Sequence, residues 1–149
     1  MPSTAEQICS RIQALLTGTT SAGTAVWRDR DDALDREESP AILIEASTED
    51  TETLGGHGHP LPQAQVERNT LTIMVTTCVR GQGWQQTADA VRLQAHALLM
   101  ADPVLRTLAT GIRRTRCEWQ SSNADLPFGY ASQAYQITYT SRAHALDAT

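Results

Sequence analysis

The chain has 149 residues, 40% apolar and 19% charged, a balance that supports one folded domain (1–149) around a single core and excludes a disordered chain or two independent domains. The formal charge is −5, and all twelve basic residues are arginine. No flexible polybasic segment is therefore present to track phosphates or anionic lipid, so specific nucleic-acid binding and membrane binding are disfavoured.

Ser3 followed by Glu6 has the spacing of a capping box, and Ile8, Ile12, Leu15 and Leu16 then recur on one face as far as Gly18, which predicts an amphipathic first helix. Ala25-Val26-Trp27 reads as a short strand, and the charged run from Arg28 to Glu38 as a solvated turn or helical turn. After Pro40, the run Ala41-Ile42-Leu43-Ile44 is too short and too β-branched for a helix and predicts a second strand. From Ser47 to Gln65 the sequence is acidic and then rich in Gly, His and Pro, which predicts a long mobile loop at 47–65.

Val66 to Arg80 alternates, with Leu71, Ile73, Val75 and Val79 on one side and threonines on the other, as a long one-sided strand does. Gly81 and Gly83 break it. Trp84, Ala88, Val91, Ala95, Leu98 and Leu99 then repeat at helical spacing, and Asp102-Pro103 ends that helix and caps a short third one before Gly111. Ile112 to Gln120 and Tyr130 to Thr140 alternate as two closing strands, and residues 143–149 read as a short disordered tail. One-sided strands place both main helices on one sheet face. The expected fold is therefore a two-layer α+β domain with a mixed or antiparallel sheet of four to five strands. The uncovered face would carry Thr70, Thr72, Thr76, Thr138, Thr140, Arg114 and Arg116, with Met74 and Cys78 among them; it is either solvated or a subunit contact.

Chemistry-bearing patterns are sparse. The three cysteines, Cys9, Cys78 and Cys117, are far apart and lack the close spacing of a zinc or redox motif, so they read as buried small residues in a reducing compartment. His57-Gly58-His59 presents two imidazoles with no third ligand at a fixed spacing. Cys117 has Arg114 and Arg116 near it in sequence, but strand alternation would send those arginines to the opposite face. Arg80-Gly81-Gln82-Gly83 resembles half a phosphate cradle, and a strand-to-helix turn explains it as well. No catalytic residue, cofactor site or metal site is predicted. A small enzyme or ligand-binding domain using His57, His59 or Cys117 stands as the contrasting reading.

Several local features together carry a family likeness. They are the amphipathic opening helix; Val26-Trp27-Arg28; the charged run into Glu38-Ser39-Pro40-Ala41-Ile42-Leu43-Ile44; the acidic Glu49-Asp50; the stretch from Ala97 through Asp102-Pro103 to Leu105; and Pro127-Phe128-Gly129-Tyr130 before the alternating last strand. In this arrangement the chain resembles the tail terminators of long-tailed bacteriophages, the minor tail protein U group, and their tail-completion relatives. The resemblance implies a non-enzymatic subunit without cofactor that closes into a ring, typically a hexamer, at the head-proximal end of the tail. That ring would stop tube growth and dock the head connector, so the implied partners are further copies of the chain, the tail-tube protein and the connector. The alternative within the same role is a head–tail joining or completion protein.

The opening Met1-Pro2-Ser3 runs into an amphipathic pattern and not into a basic and then apolar leader, and no apolar stretch approaches the ~20 residues that span a bilayer. The expected location is the host cytoplasm during assembly and the virion tail afterwards. For the subunit contact, the expectation is that Glu49, Asp50 and Glu52 of one copy meet Arg113 or Arg114 of the next, because the signs match and both segments should be exposed.

Overall fold

The structure is a computed structural model that describes residues 1–30, 36–55, 65–122 and 127–147. Its elements are, in order, α1 (Thr4–Leu16), β1 (Val26–Arg28), a 3-10 turn (Arg36–Glu38), β2 (Ala41–Gly55), β3 (Val66–Arg80), α2 (Trp84–Ala101), α3 (Pro103–Leu108), β4 (Gly111–Ser122) and β5 (Phe128–Arg142). The five strands form one mixed sheet in the order β1-β2-β3-β5-β4, with β1 parallel to β2 and every other pair antiparallel. The α+β fold class, the mixed sheet and the single helical layer all agree with the sequence pattern.

The periodicities explain the packing. Ile8, Ile12 and Leu16 of α1 and Val91, Ala95 and Leu99 of α2 are buried in one cluster with Ile42 and Ile44 of β2, Leu71, Ile73 and Val75 of β3, and Tyr135, Ile137 and Tyr139 of β5. Both helices therefore lie on the same face of the sheet, each burying one stripe against the inward side of the pleat. Ser3 caps α1 by accepting a bond from the Glu6 amide at 3.2 Å. The Glu6 carboxylate accepts bonds from Ser10 and, in a bidentate pair, from Arg28, so it ties α1 to the end of β1. Asp102 closes α2 and caps α3, with Pro103 at the first helical position.

Two boundaries correct the sequence reading. The predicted loop at 47–65 is strand as far as Gly55: β2 continues through the acidic segment and pairs with β3 from Ala41–Cys78 to Gly55–Val66, broken by irregularities at Ser47 and Leu54. Pairing with β3 overrides a local composition that lacks apolar alternation. The rest of the loop, including His57 and His59, lies outside the described residues. The predicted disordered tail at 143–149 is ordered where it is described. Ala145 bridges Arg142, and the Leu146 carbonyl accepts a bond from the Thr4 amide at 3.0 Å, so 143–147 turns back onto the start of α1.

Candidate interaction surface

The sheet has one face under the helices and one face that no described helix covers. On the uncovered face the register aligns Thr70 with Thr138, Thr72 with Gln136, Met74 with Ala134, Thr76 with Ser132 and Cys78 with Tyr130. At one end, Leu43, Glu45, Thr76, Cys78, Phe128 and Tyr130 line a shallow depression of about 290 Å³. Burial, with a smaller contribution from Glu45, pushes the Cys78 thiol up to about 11. Burial likewise raises that of Cys9, so both remain protonated thiols near neutrality.

Arg114 is not on this face, contrary to the simple alternation of β4. Arg114 pairs with Tyr135 and Arg116 with Ala134, leaving Thr115 as a bulge. One inserted residue inverts the facing of everything before it. Arg113, Arg116 and Glu118 therefore share the uncovered face, whereas Arg114, Cys117 and Trp119 share the helical side. The expectation that both arginines point away from Cys117 thus holds for Arg116 and fails for Arg114.

On the helical side Arg114 joins a polar cluster that the sequence reading did not single out. Its guanidinium donates to Gln133 Oε1 at 3.2 Å, as does that of Arg92 at 3.4 Å. Gln133 Nε2 donates to the Tyr135 hydroxyl at 3.2 Å, and that hydroxyl lies 2.8 Å from His96 Nδ1. Burial, followed by the charges of Arg114 and Arg92, lowers the His96 pKa, and burial pushes the Tyr135 hydroxyl up to about 12. The cluster is a neutral hydrogen-bonded chain flanked by two cations, and it fastens α2 to β5 and β4. Its signal in the sequence was the polar pair Arg92 and His96, four residues apart beside the apolar stripe of α2.

The candidate contact residues fall at two opposite edges of the sheet. β1 covers β2 only at Ile42–Ile44, so the outer edge of β2 beyond Ile44 pairs with no described strand. Every residue from Glu45 to Leu54 is exposed. Glu49 turns to the helical side, where its carboxylate accepts a 2.6 Å bond from Tyr139. Asp50 and Glu52 belong to the uncovered side, with Glu52 3.4 Å from Arg68. At the far edge, β4 pairs only with β5 among the described strands and presents Arg113, Arg114 and Arg116. Arg113 donates to Gln136 at 2.7 Å, and Arg116 pairs with Glu118. Three strand spacings, ~14 Å, separate the two edges, so the acidic and basic groups cannot meet within one molecule.

Among the described residues no group of three or more His, Cys, Asp or Glu side chains is placed to hold a metal. No helix among them is long and apolar enough to cross a membrane. No protein-family model matches the chain, and comparison with curated proteins finds no match.

Proposed function

We propose that the chain is a structural subunit of a long phage tail. In this reading copies close into a ring that ends growth of the tail tube and offers a docking surface to the head connector, in the cytoplasm first and in the virion afterwards. The observation that carries the reading is the pair of sheet edges of opposite sign that no described strand covers, acidic along Glu45–Glu52 and basic at Arg113–Arg116. Two different, mutually complementary edges make a heterologous contact, and heterologous contacts generate rings when the rotation closes. The family likeness of the sequence points to the same role.

The expected behaviour is a monomer or weak associate at low concentration that forms closed rings at high concentration or on tube ends. Many marginal contacts can stabilise a closed ring while each remains weak alone. Sedimentation and electron microscopy across concentration, with and without tail tubes, will read this out; strict monomers that leave tube ends bare would refute the reading.

A ring that lets a genome slide through should present an acidic or neutral bore. Duplex DNA is therefore expected to bind the assembled ring more weakly than the roughly 10⁻⁴ to 10⁻⁶ M typical of nonspecific binders at ~0.15 M salt. Tighter binding by intact rings, falling steeply with salt, would argue for a DNA-contacting neck role instead.

A further inference from the structure

We propose that copies of this chain join edge to edge, with β4 of one copy adding antiparallel to the Glu45–Gly55 run of β2 in the next, which no described strand covers, so that one sheet continues through the assembly. The inference rests on the ring reading above for closure around a tube end. The joining of copies rests on the edges themselves.

Strand direction follows from the topology. β2 is antiparallel to β3, β3 to β5 and β5 to β4, so β2 and β4 run in opposite directions. Rotation about a ring axis carries a copy around without inverting its sheet, and β4 therefore meets the next copy's β2 antiparallel. Lengths agree, since β4 has 12 residues and β1 stops the free run of β2 at Ile44.

Face parity fixes the register, because a one-residue slip would turn every side chain to the wrong side. Arg113 and Arg116 belong to the uncovered face, as do Asp50 and Glu52, while Arg114, Cys117 and Glu49 belong to the helical side. With Thr115 bulged as it is against β5, laying Arg116 opposite Asp50 places Arg113 opposite Glu52 and Cys117 opposite Glu49, with Arg114 diagonal to Glu49. Every pair then shares a face, and each arginine has a carboxylate opposite or diagonal to it, within reach of a long side chain. In this register, with Ser47 bulged, Gln120 falls opposite Glu45, the last residue before the stretch that β1 covers, and only Ser121 and Ser122 lie past the uncovered run.

The offset this implies is of the right size for a closed sheet. Within one copy, Arg116 lies level with Glu45 through Ala134 and Met74. Moving it to Asp50 shifts successive copies by about 14 Å along the strands for every ~19 Å across four strands, a slant near 35°, which lies in the range of closed sheets. Charge also selects the partner edge. Two acidic edges repel, as do two basic ones, so like-to-like pairing is disfavoured and the complementary pairing is left.

Charge exchange with rescue tests this. Asp50→Arg with Glu52→Arg, and separately Arg113→Glu with Arg116→Glu, should each weaken assembly at least ~10-fold, and the chain carrying all four substitutions should recover it. All four positions are exposed, and an unchanged melting temperature confirms that each variant folds. In a Cys117→Ser background, Asp50→Cys with Arg116→Cys should cross-link copies on mild oxidation, whereas Thr51→Cys with Arg116→Cys, on opposite faces, should not. Rings that assemble normally while the quadruple variant stays as defective as either double, or equal cross-linking of both cysteine pairs, would overturn edge joining and leave the assembly reading standing. Wild-type chains that remain monomeric at every concentration and on tube ends would overturn both.

Discussion

Asp102→Ala is expected to destabilise the fold by about 3 kcal/mol, lowering the melting temperature by roughly 10 °C for a chain of this length. Three roles converge on that one carboxylate. It ends α2, it caps α3 by accepting the Leu105 amide at 3.0 Å, and it receives Arg11 of α1 in a bidentate pair at 2.9 and 2.6 Å. Its side chain is 3% exposed and that of Arg11 32%, so the pair is desolvated on one side only. Losing a cap costs about 1 kcal/mol, and losing a charged hydrogen-bonded pair adds about 2 kcal/mol, less than for a fully buried pair because the freed guanidinium still reaches water. Asp102→Asn retains an acceptor for the cap and should cost about half as much. Equal losses for the two substitutions, measured by urea unfolding, would show that the cap carries none of the effect.

The same group gives the fold an acid limit. Arg11's hydrogen bonds, aided by the Leu105 amide and opposed by burial, hold the Asp102 carboxyl below its ordinary value. Glu6, bonded by Arg28 and Ser10, is held down to about 2. Folded-state pKa values below the unfolded ones mean that the stabilisation is complete above about pH 4.5 and is lost as the pH falls towards 2. Stability of the native chain should therefore drop across that window. The Asp102→Asn variant, lacking one of the two titrating groups, should show a shallower slope there.

Much of the fold was legible because its signals are local. The helical stripes of α1 and α2, the Asp102-Pro103 junction and the alternation of β3 each follow from side-chain periodicity or capping chemistry. Three features depended on partners instead. The distal half of β2 is acidic and rich in threonine, without an apolar face; it is held by pairing with β3 and by polar contacts such as Thr51 to Asn69, Asn69 to Ser141 and Tyr139 to Glu49. The reversal at Arg114 comes from one bulged residue, Thr115, which has no distinctive local pattern. The acidic and arginine-bearing segments were recognisable as charge-matched, but their place at opposite edges follows from β5 inserting between β3 and β4, a non-local pairing.

Gly129→Ala is expected to cost about 3 kcal/mol, the upper end for overpacking, and to loosen the edge strand that the proposed joining of copies uses. Gly129 is buried on β5, and an added Cβ would stand 2.3–2.4 Å from three ring atoms of Trp84. These are atoms of the fused indole core, so relief requires the whole side chain to move. Trp84 is the first residue of α2 and packs with its ring centroid 6.2 Å from that of Trp119 on β4. The Arg92 guanidinium lies 5.0 Å from the Trp119 ring centroid, and Val79, Ala88, Ala131 and Cys117 complete the small apolar cluster beneath. Displacing Trp84 therefore disturbs the start of α2 and the anchor of β4 together, with no change to any charge on the edge. A double-mutant cycle isolates the cause: in a Trp84→Ala background the space is already open, and Gly129→Ala should then cost under about 1 kcal/mol. Ring formation should fall in Gly129→Ala in parallel with tryptophan fluorescence changes that report separation of the two indoles. An equal cost with and without Trp84 would mean that the glycine is required by the backbone and not by the ring lying on it.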